Sequence, residues 1–323
     1  MPHAVELELD PILAEPEIVT PEQDVAPPLA PLSERIATLI GVMLPFAGLV
    51  TAIALTWGWG FTWLEFTLLL TFYLAAGLGV TVGYHRLFTH RAFETFRPIR
   101  FLFAVLGAMA LQGPVLKWAA VHRRHHQHSD HEEDPHSPNC HGGGVRGILA
   151  GFWHAHIGWM FKKDVPNLYK YVGDLSADRL IAFASRFWLL WAVLGLVIPA
   201  AIGLLITGTW TGALLGFLWG GLARIFFGHH VTWSINSVCH LWGRRAFAGK
   251  DHSRNNFIFG VLAFGEGWHN NHHAFPTSAR HGLRWWEFDM SWIVIRTLAL
   301  FRLAWDVRLP SAEAMDARRL PTG

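Results

Sequence analysis

The sequence predicts an all-α integral membrane protein: four membrane helices in two hairpins, capped on one side by shorter helices. Three observations carry that expectation. Two pairs of apolar runs are each near the ~20 residues that a helix needs to cross ~30 Å of hydrocarbon. Basic residues avoid both short links within those pairs, and three histidine clusters lie where the basic residues gather. Composition agrees: 52% of the 323 residues are hydrophobic, 15% are charged, and Trp (17) and Phe (23) are abundant. Such a balance excludes an ordinary soluble protein.

Residues 1–33 are rich in Pro, Glu and Asp and contain no Lys or Arg. They bury too little apolar surface to offset the entropy of ordering and are expected to be a disordered tail. Without a charged segment leading into an apolar core, they do not read as a signal peptide. The first hairpin pairs 36–57 with 62–83, and Glu65 sits near one membrane face. The second pairs 187–206 with 212–231 across an uncharged link. Arg224, inside that last run, is expensive unless it faces a protein interior. It is expected to face the active centre or to mark where the helix leaves the membrane. The runs 99–111, 148–161 and 257–264 are too short to span and are read as interfacial or buried helices that roof the site. The membrane domain therefore covers 34–310, with a loose tail over 311–323.

Of the 26 basic residues, thirteen lie between the hairpins and eleven after the second, leaving Arg35 and Arg224. The positive-inside rule then places both termini and every histidine cluster in the cytoplasm. The two cysteines, Cys140 and Cys239, make no disulfide framework, which suits that compartment. The net charge of +2 gives no reason to expect a nucleic-acid partner.

The chemistry lies in the histidines. His122, His125 and His126 form one fork at i, i+3 and i+4, and His269, His272 and His273 form another. Each fork lies on one side of a helical turn, and neutral imidazole is the commonest metal ligand. Adjacent histidines point about 100° apart, so one fork can serve two metals. His85 and His90 would diverge by about 140° on a continuous helix. Their helix is expected to end or bend there, with the pair serving different metals. His3, His141, His252 and His281 are read as isolated surface or core residues, and His128, His131 and His136 as a solvated continuation of the second cluster. Eight or more imidazoles exceed the four ligands of a structural zinc and imply two metals of higher coordination, which favours iron. The run from His131 to His136 is one residue too long for a zinc-protease motif, and Pro135 would break its helix. No nucleophile elbow, phosphate loop or dinucleotide fingerprint is present.

With these motifs in view, the chain resembles the membrane-bound fatty acid desaturases, and within them the Δ9, stearoyl-CoA type in its bacterial form. The likeness covers residues 36–310. It rests on His85-Arg-Leu-Phe-Thr-His90, His122-Arg-Arg-His125-His126, Asn236-Ser-Val-Cys-His240 and Gly265-Glu-Gly-Trp-His269-Asn-Asn-His272-His273. The resemblance implies a di-iron site held by His85, His90, His122, His125, His126, His240, His269, His272 and His273, with Asn236 acting through water. It also implies a bacterial inner-membrane setting and an O2-dependent removal of two hydrogens from a fatty acyl chain. That reaction leaves a cis double bond, expected at Δ9, and the oxygen departs as water.

Around that centre, Glu266 and Asp130 are candidates to orient metal-bound imidazoles. Trp118, Trp153, Trp233 and Trp268 are candidates to line an apolar substrate tunnel, and Lys162 and Lys163 to meet a headgroup. One departure matters. The animal acyl-CoA enzymes carry an Arg-Asp pair before the second motif, and here those positions are Ala120-Val121. The acyl carrier stays open among CoA, acyl carrier protein and membrane glycerolipid. No haem, flavin, nicotinamide or iron–sulfur pattern is present. An external donor is implied: a ferredoxin, a rubredoxin, a cytochrome b5-like protein or a flavoprotein reductase. The rivals are a di-iron hydroxylase of alkyl chains or lipids and a metal transporter. A transporter would place its ligands near the membrane midplane rather than at one face.

Overall fold

The computed structural model describes residues 29–58, 60–163 and 166–321. Most of the expected tail, residues 1–28, lies outside them. In chain order the helices are α1 (Leu32–Thr56), α2 (Trp63–Thr89), α3 (Arg97–Met109), α4 (Val115–His128), α5 (Gly144–His156), α6 (Leu168–Ser176) and α7 (Arg179–Arg186). There follow α8 (Trp188–Thr207), α9 (Trp210–Leu241), α10 (Phe257–Leu262), α11 (His269–Ala274), α12 (Met290–Leu300) and α13 (Ala312–Arg318). Two short strands, Glu94–Thr95 and Ala304–Trp305, pair antiparallel within the cap.

Four of these helices, α1, α2, α8 and α9, are long and apolar enough to cross a membrane. The chain is a membrane protein with the expected two-hairpin order. Helices α1 and α8 end close to the expected limits. By contrast, α2 and α9 overrun them, at 27 and 32 residues. These are rods of about 40 and 48 Å, against a hydrocarbon layer of about 30 Å. Both contain a π-helical stretch, Gly79–Thr89 in α2 and Phe217–Ala223 in α9. The surplus turns carry His85 and His240 beyond the apolar layer into the cap.

Glu65, which looked like a defect in a span, is part of how α2 starts. Its carboxylate accepts from the backbone N–H of Thr62 at 2.8 Å, while the Thr62 hydroxyl caps the helix N-terminus. This reciprocal capping satisfies backbone donors that the helix cannot pair itself. Deeper in the bundle, α3 packs directly on α2. A Cβ at Gly79 would strike the backbone of Gly107, and one at Gly107 would strike Tyr84. The run 99–111 is therefore a buried helix.

Arg224 is buried and donates to three carbonyls: Gly195 (2.9 Å), Met109 (2.5 Å) and Gly220 (3.2 Å). The first two of these would otherwise lack a partner. Gly195 lies four residues before Pro199, which has no N–H to give. Met109 ends α3, and Gly220 lies in the π-helical stretch of α9. With no water in the bilayer core, each unpaired carbonyl costs several kcal/mol. Arg224→Met is therefore expected to destabilise the detergent-solubilised protein by about 3 kcal/mol or more. Adding Pro199→Ala should recover part of the loss, because residue 199 then donates to Gly195 itself. Thermal unfolding of the single and double variants measures this.

The C-terminal segment departs from the expectation of a loose tail. It forms α13 and ties back to the cap: Ala248 N–H donates to the Arg318 carbonyl (2.8 Å) and Leu320 N–H to that of Ala246 (3.0 Å). Its sequence is polar, so hydrophobic patterning could not reveal a segment held by backbone pairing. At the other end, Leu29 forms an antiparallel bridge with Lys162, and α1 begins at Leu32.

Candidate metal centre

Two forks, one pair and His240 bring nine imidazoles together in the cap. They sort into a group of five (His85, His90, His122, His126, His272) and a group of four (His125, His240, His269, His273). Within the five, Nε2 atoms stand 3.1 Å apart for His85–His272 and for His90–His122, and 2.8 Å apart for His126–His272. In the group of four, His240–His269 and His125–His273 meet at 3.0 and 3.3 Å.

Each fork divides as the helical geometry predicts. On α4, His122 and His126 join one group while His125 turns to the other. On α11 the assignment reverses: His269 and His273 join the second group, and His272 the first. The expectation for His85 and His90 is corrected, because both fall in the group of five. The end of α2 is π-helical, with the His90 N–H bonded to the His85 carbonyl five residues back (3.1 Å). Widening the turn to an i→i+5 pattern brings residues five apart near one side.

Carboxylates hold four rings by their other nitrogen. Glu266 meets His85 Nδ1 at 2.5 Å, and Asp134, Asp130 and Asp251 meet Nδ1 of His125, His240 and His273, each at 2.9 Å. Glu266 and Asp130 were expected; Asp134 and Asp251 were missed. Asp134 lies in a charged run that reads as surface, and its partner is set by the turn that follows α4. A neutral imidazole that donates through Nδ1 has a bare lone pair at Nε2. The Nε2 atoms of His125 and His273 face each other at 3.3 Å, and with both rings neutral and donating through Nδ1 each offers a lone pair. A bound cation satisfies such a pair of lone pairs. The residues fit bound metal.

Electrostatics agree. Burial, reinforced by neighbouring histidines, holds His90, His122, His126, His269, His272 and His273 well below the ordinary histidine range. Such rings are neutral and ready to ligate. Burial works against the charge on Glu266, but His85, His281 and Arg86 outweigh it and keep the carboxyl ionised. Asp130 is depressed in the same way, with burial opposed by His240 and the Asn139 amide. Asp134→Asn keeps an acceptor beside His125 but removes its charge. It is expected to weaken metal binding at the group of four by about 10–100-fold, as read by competition with a chelator.

Two histidines set aside from the sequence belong here. His281 is buried with Nδ1 3.3 Å from Glu266, and His136 is buried with its ring 4.5 Å from that of His125. Neither sits at helical spacing from a cluster, so only the tertiary fold brings it in. The asparagines between the histidines of α11 anchor it: Asn270 accepts from Ala246 and Phe247 N–H, and Asn271 donates to Glu287 and to the His281 carbonyl.

An apolar cavity runs between α2 and α9 up to His85, His122 and His269. Asn236 lines it beside them. Tyr73 and Arg224 line it twelve residues earlier on their helices, about 18 Å along each axis. Of the four candidate tryptophans, Trp118 lines it, stacked on His122 at 5.1 Å. Its Nε1 donates to Gln112 (3.1 Å), and the Gln112 amide donates to Thr232 (2.9 Å), joining α9 to the start of α4. The other three are corrected. The stripe on α9 is Ile225, Gly228, Val231, Thr232 and Ile235. Trp233 is off that stripe and stacks on His229 at 4.8 Å. Trp268 is buried beneath α10 and donates to the Phe288 carbonyl (2.7 Å). Trp153 is 61% exposed, on the outward face of α5 with Val145 and Leu149. Lys162 is half-buried and Lys163 exposed; neither lines the cavity.

Comparison with known proteins gives the same class. A family model described as fatty acid desaturase matches residues 57–306. The chain is 44% identical over 280 residues to the hex-5-enoyl-[acyl-carrier protein] acetylenase of Moorena producens (strain JHB), covering 86% of this chain and 87% of that one. It is 39% identical over 285 residues to Delta-9 acyl-lipid desaturase 1 of Arabidopsis thaliana, with 86% and 87% covered. With the icosanoyl-CoA 5-desaturase of Limnanthes douglasii it shares 40% over 258 residues, covering 78% and 67%. The chain belongs to the fatty acid desaturase family.

Proposed function

We propose that this protein is an O2-dependent fatty acyl desaturase whose nine histidines hold two iron ions, one in each group. The observation that carries this reading is the gathering of nine imidazoles in two groups, of which His85, His122 and His269 line an apolar cavity. When bound, the irons supply the oxidising power needed to break an unactivated C–H bond. The protein does the rest. Glu266, Asp134, Asp130 and Asp251 fix the ring tautomers. The α2–α9 cavity holds an extended acyl chain, excludes water, and sets which carbons lie near His85, His122 and His269. Relatives named for acyl carrier protein, lipid and CoA substrates share the acyl chain and differ in its carrier. The cavity recognises that shared part. Basic residues on the cap side support a cytoplasmic site.

The test is the fatty-acid profile of a host expressing the chain, with double bonds located by mass spectrometry and His272→Ala run alongside. New monounsaturated chains in the active strain alone support the reading and give the bond position, expected at Δ9. Hydroxylated chains instead would move the assignment to a hydroxylase. Gly228 offers a sharper probe of the cavity. It lines the wall, and a Cβ there meets nothing within 4 Å. Gly228→Leu is expected to fill the cavity without disturbing the bundle. Turnover of long chains should fall about tenfold or more, while shorter chains lose less, as measured by competition between two chain lengths. A methylene in an apolar pocket is worth roughly 10–200-fold in discrimination.

A further inference from the structure

The loop over residues 242–254, between α9 and α10, holds four basic residues: Arg244, Arg245, Lys250 and Arg254. Arg244 and Lys250 are exposed, and Arg245 and Arg254 half-buried. Among the described residues, none of the four has a carboxylate within ion-pair distance. Arg245 and Arg254 donate only to loop carbonyls, those of Gly249 (3.2 Å) and Gly243 (3.3 Å). The one carboxylate of the loop, Asp251, turns inward to His273 at 2.9 Å. The surface thus keeps its positive charge unopposed by its own segment. It is also held in shape: Asn270 accepts two of its N–H groups, and Arg244 pairs with Asn255 through backbone bonds.

The same loop is the short way in to the group of four. His252 is exposed, yet its backbone N–H donates to Asp130 Oδ2 at 2.7 Å. That oxygen holds His240 Nδ1 at 2.9 Å. Two hydrogen bonds therefore connect the protein surface to an imidazole facing the centre, and the neighbouring Asp251 makes a second link to His273. The loop follows the cap end of α9. Helix α9 starts at Trp210, which is 81% exposed, as an interfacial tryptophan would be. Its 32 residues overrun the hydrocarbon by about 18 Å, past a headgroup layer of about 5–7 Å. A soluble partner reaches this loop more readily than an anionic membrane does.

We infer that this loop is the docking surface for an acidic one-electron carrier protein, which feeds the centre through His252, Asp130 and His240. The inference rests on the desaturase reading. In that reaction the saturated chain and O2, with two electrons and two protons from outside, become the alkene and two waters. The carrier therefore docks twice per turnover, is oxidised by one electron each time, and must leave between visits. A rigid charged surface suits such contacts, because complementary charge speeds encounter by about 10–1000-fold and fades with salt.

The experiment uses the iron-loaded protein in phosphatidylcholine nanodiscs, with Arg244→Glu/Lys250→Glu beside wild type and Arg244→Lys. Turnover is driven by a reduced plant-type [2Fe–2S] ferredoxin, and a single turnover is driven separately by dithionite. At low salt the double variant should lose about tenfold or more in ferredoxin-driven rate, together with the salt dependence seen in wild type. Arg244→Lys should retain both, and dithionite-driven product should be equal in all three. An unchanged ferredoxin rate, an equal fall under both reductants, or a fall only when the nanodiscs contain anionic lipid would overturn the assignment. Failure of the desaturase reading itself looks different: wild type then makes no unsaturated product even with dithionite.

Discussion

His272→Ala is expected to abolish desaturation and to lower bound iron from two to about one per chain. His272 is fully buried, and its Nε2 lies 3.1 Å from that of His85 and 2.8 Å from that of His126. It thereby closes the group of five between α2, α4 and α11. Nothing nearby replaces it: the nearest spare ring, His281, has its centroid 4.4 Å away and turns Nδ1 to Glu266. Removing a partner that merely orients a ligand typically weakens a metal site by about 10–100-fold. Deleting the ligand itself should exceed that, and activity should fall below detection. The fold should survive. In the metal-free protein this cluster gathers lone pairs that repel, and the His272 Nδ1 is buried without a partner. The metal-free variant is thus expected to melt no lower than the metal-free parent, while the metal-loaded variant loses most of the stabilisation that binding gives. Metal analysis, product analysis and paired melting curves separate these outcomes. A variant with two irons and normal product would remove His272 from the centre.

The parts that were legible share one property: they repeat at a period the backbone imposes. Apolar runs of membrane length gave the four spans, and i, i+3, i+4 spacing gave both forks and the way each divides between two groups. What escaped depends on contacts between distant segments or on departures from regular geometry. The π-helical end of α2 moved His85 and His90 onto one group, and no composition rule marks such a stretch. Asp134, Asp251, His136 and His281 enter the site through turns, where spacing carries no information about direction. The tryptophans show the converse error. Proximity to a motif in sequence says little about which way a side chain faces, and three of the four point away from the cavity. Arg224 was flagged as expensive; its purpose became visible only once Pro199 and the ends of two other elements were seen around it.

Arg86→Leu should cause the largest loss of stability of any single change considered. Arg86 stands next to His85 in the motif His85-Arg-Leu-Phe-Thr-His90, and its side chain is fully buried. One Nη1 donates to the Ala279 carbonyl (2.7 Å) and reaches Asp289 (2.9 Å), while Nη2 and Nε meet Glu266 at 3.2 and 3.3 Å. Asp289 in turn caps α12 through the Trp292 N–H (2.8 Å) and accepts from His281 N–H (2.7 Å). Gly265, with φ of 113°, has the site of its missing Cβ against Asp289 and Arg86, so the chain passes too close for any other residue. One guanidinium thus joins α2, the turn before α11 and the start of α12. Leucine fills part of the volume but leaves two buried carboxylates without their cation. Breaking a buried pair from one side costs about 3–5 kcal/mol. The loss also reaches the chemistry, since Glu266 is the group that holds His85 at 2.5 Å. The expected result is a protein that melts well below wild type and binds less metal at the group of five. Arg86→Lys should recover only part of either property, because one ammonium cannot match the fork to both carboxylates and the carbonyl. If instead Arg86→Leu kept wild-type stability and metal content, the buried network would not be what joins the cap to α2.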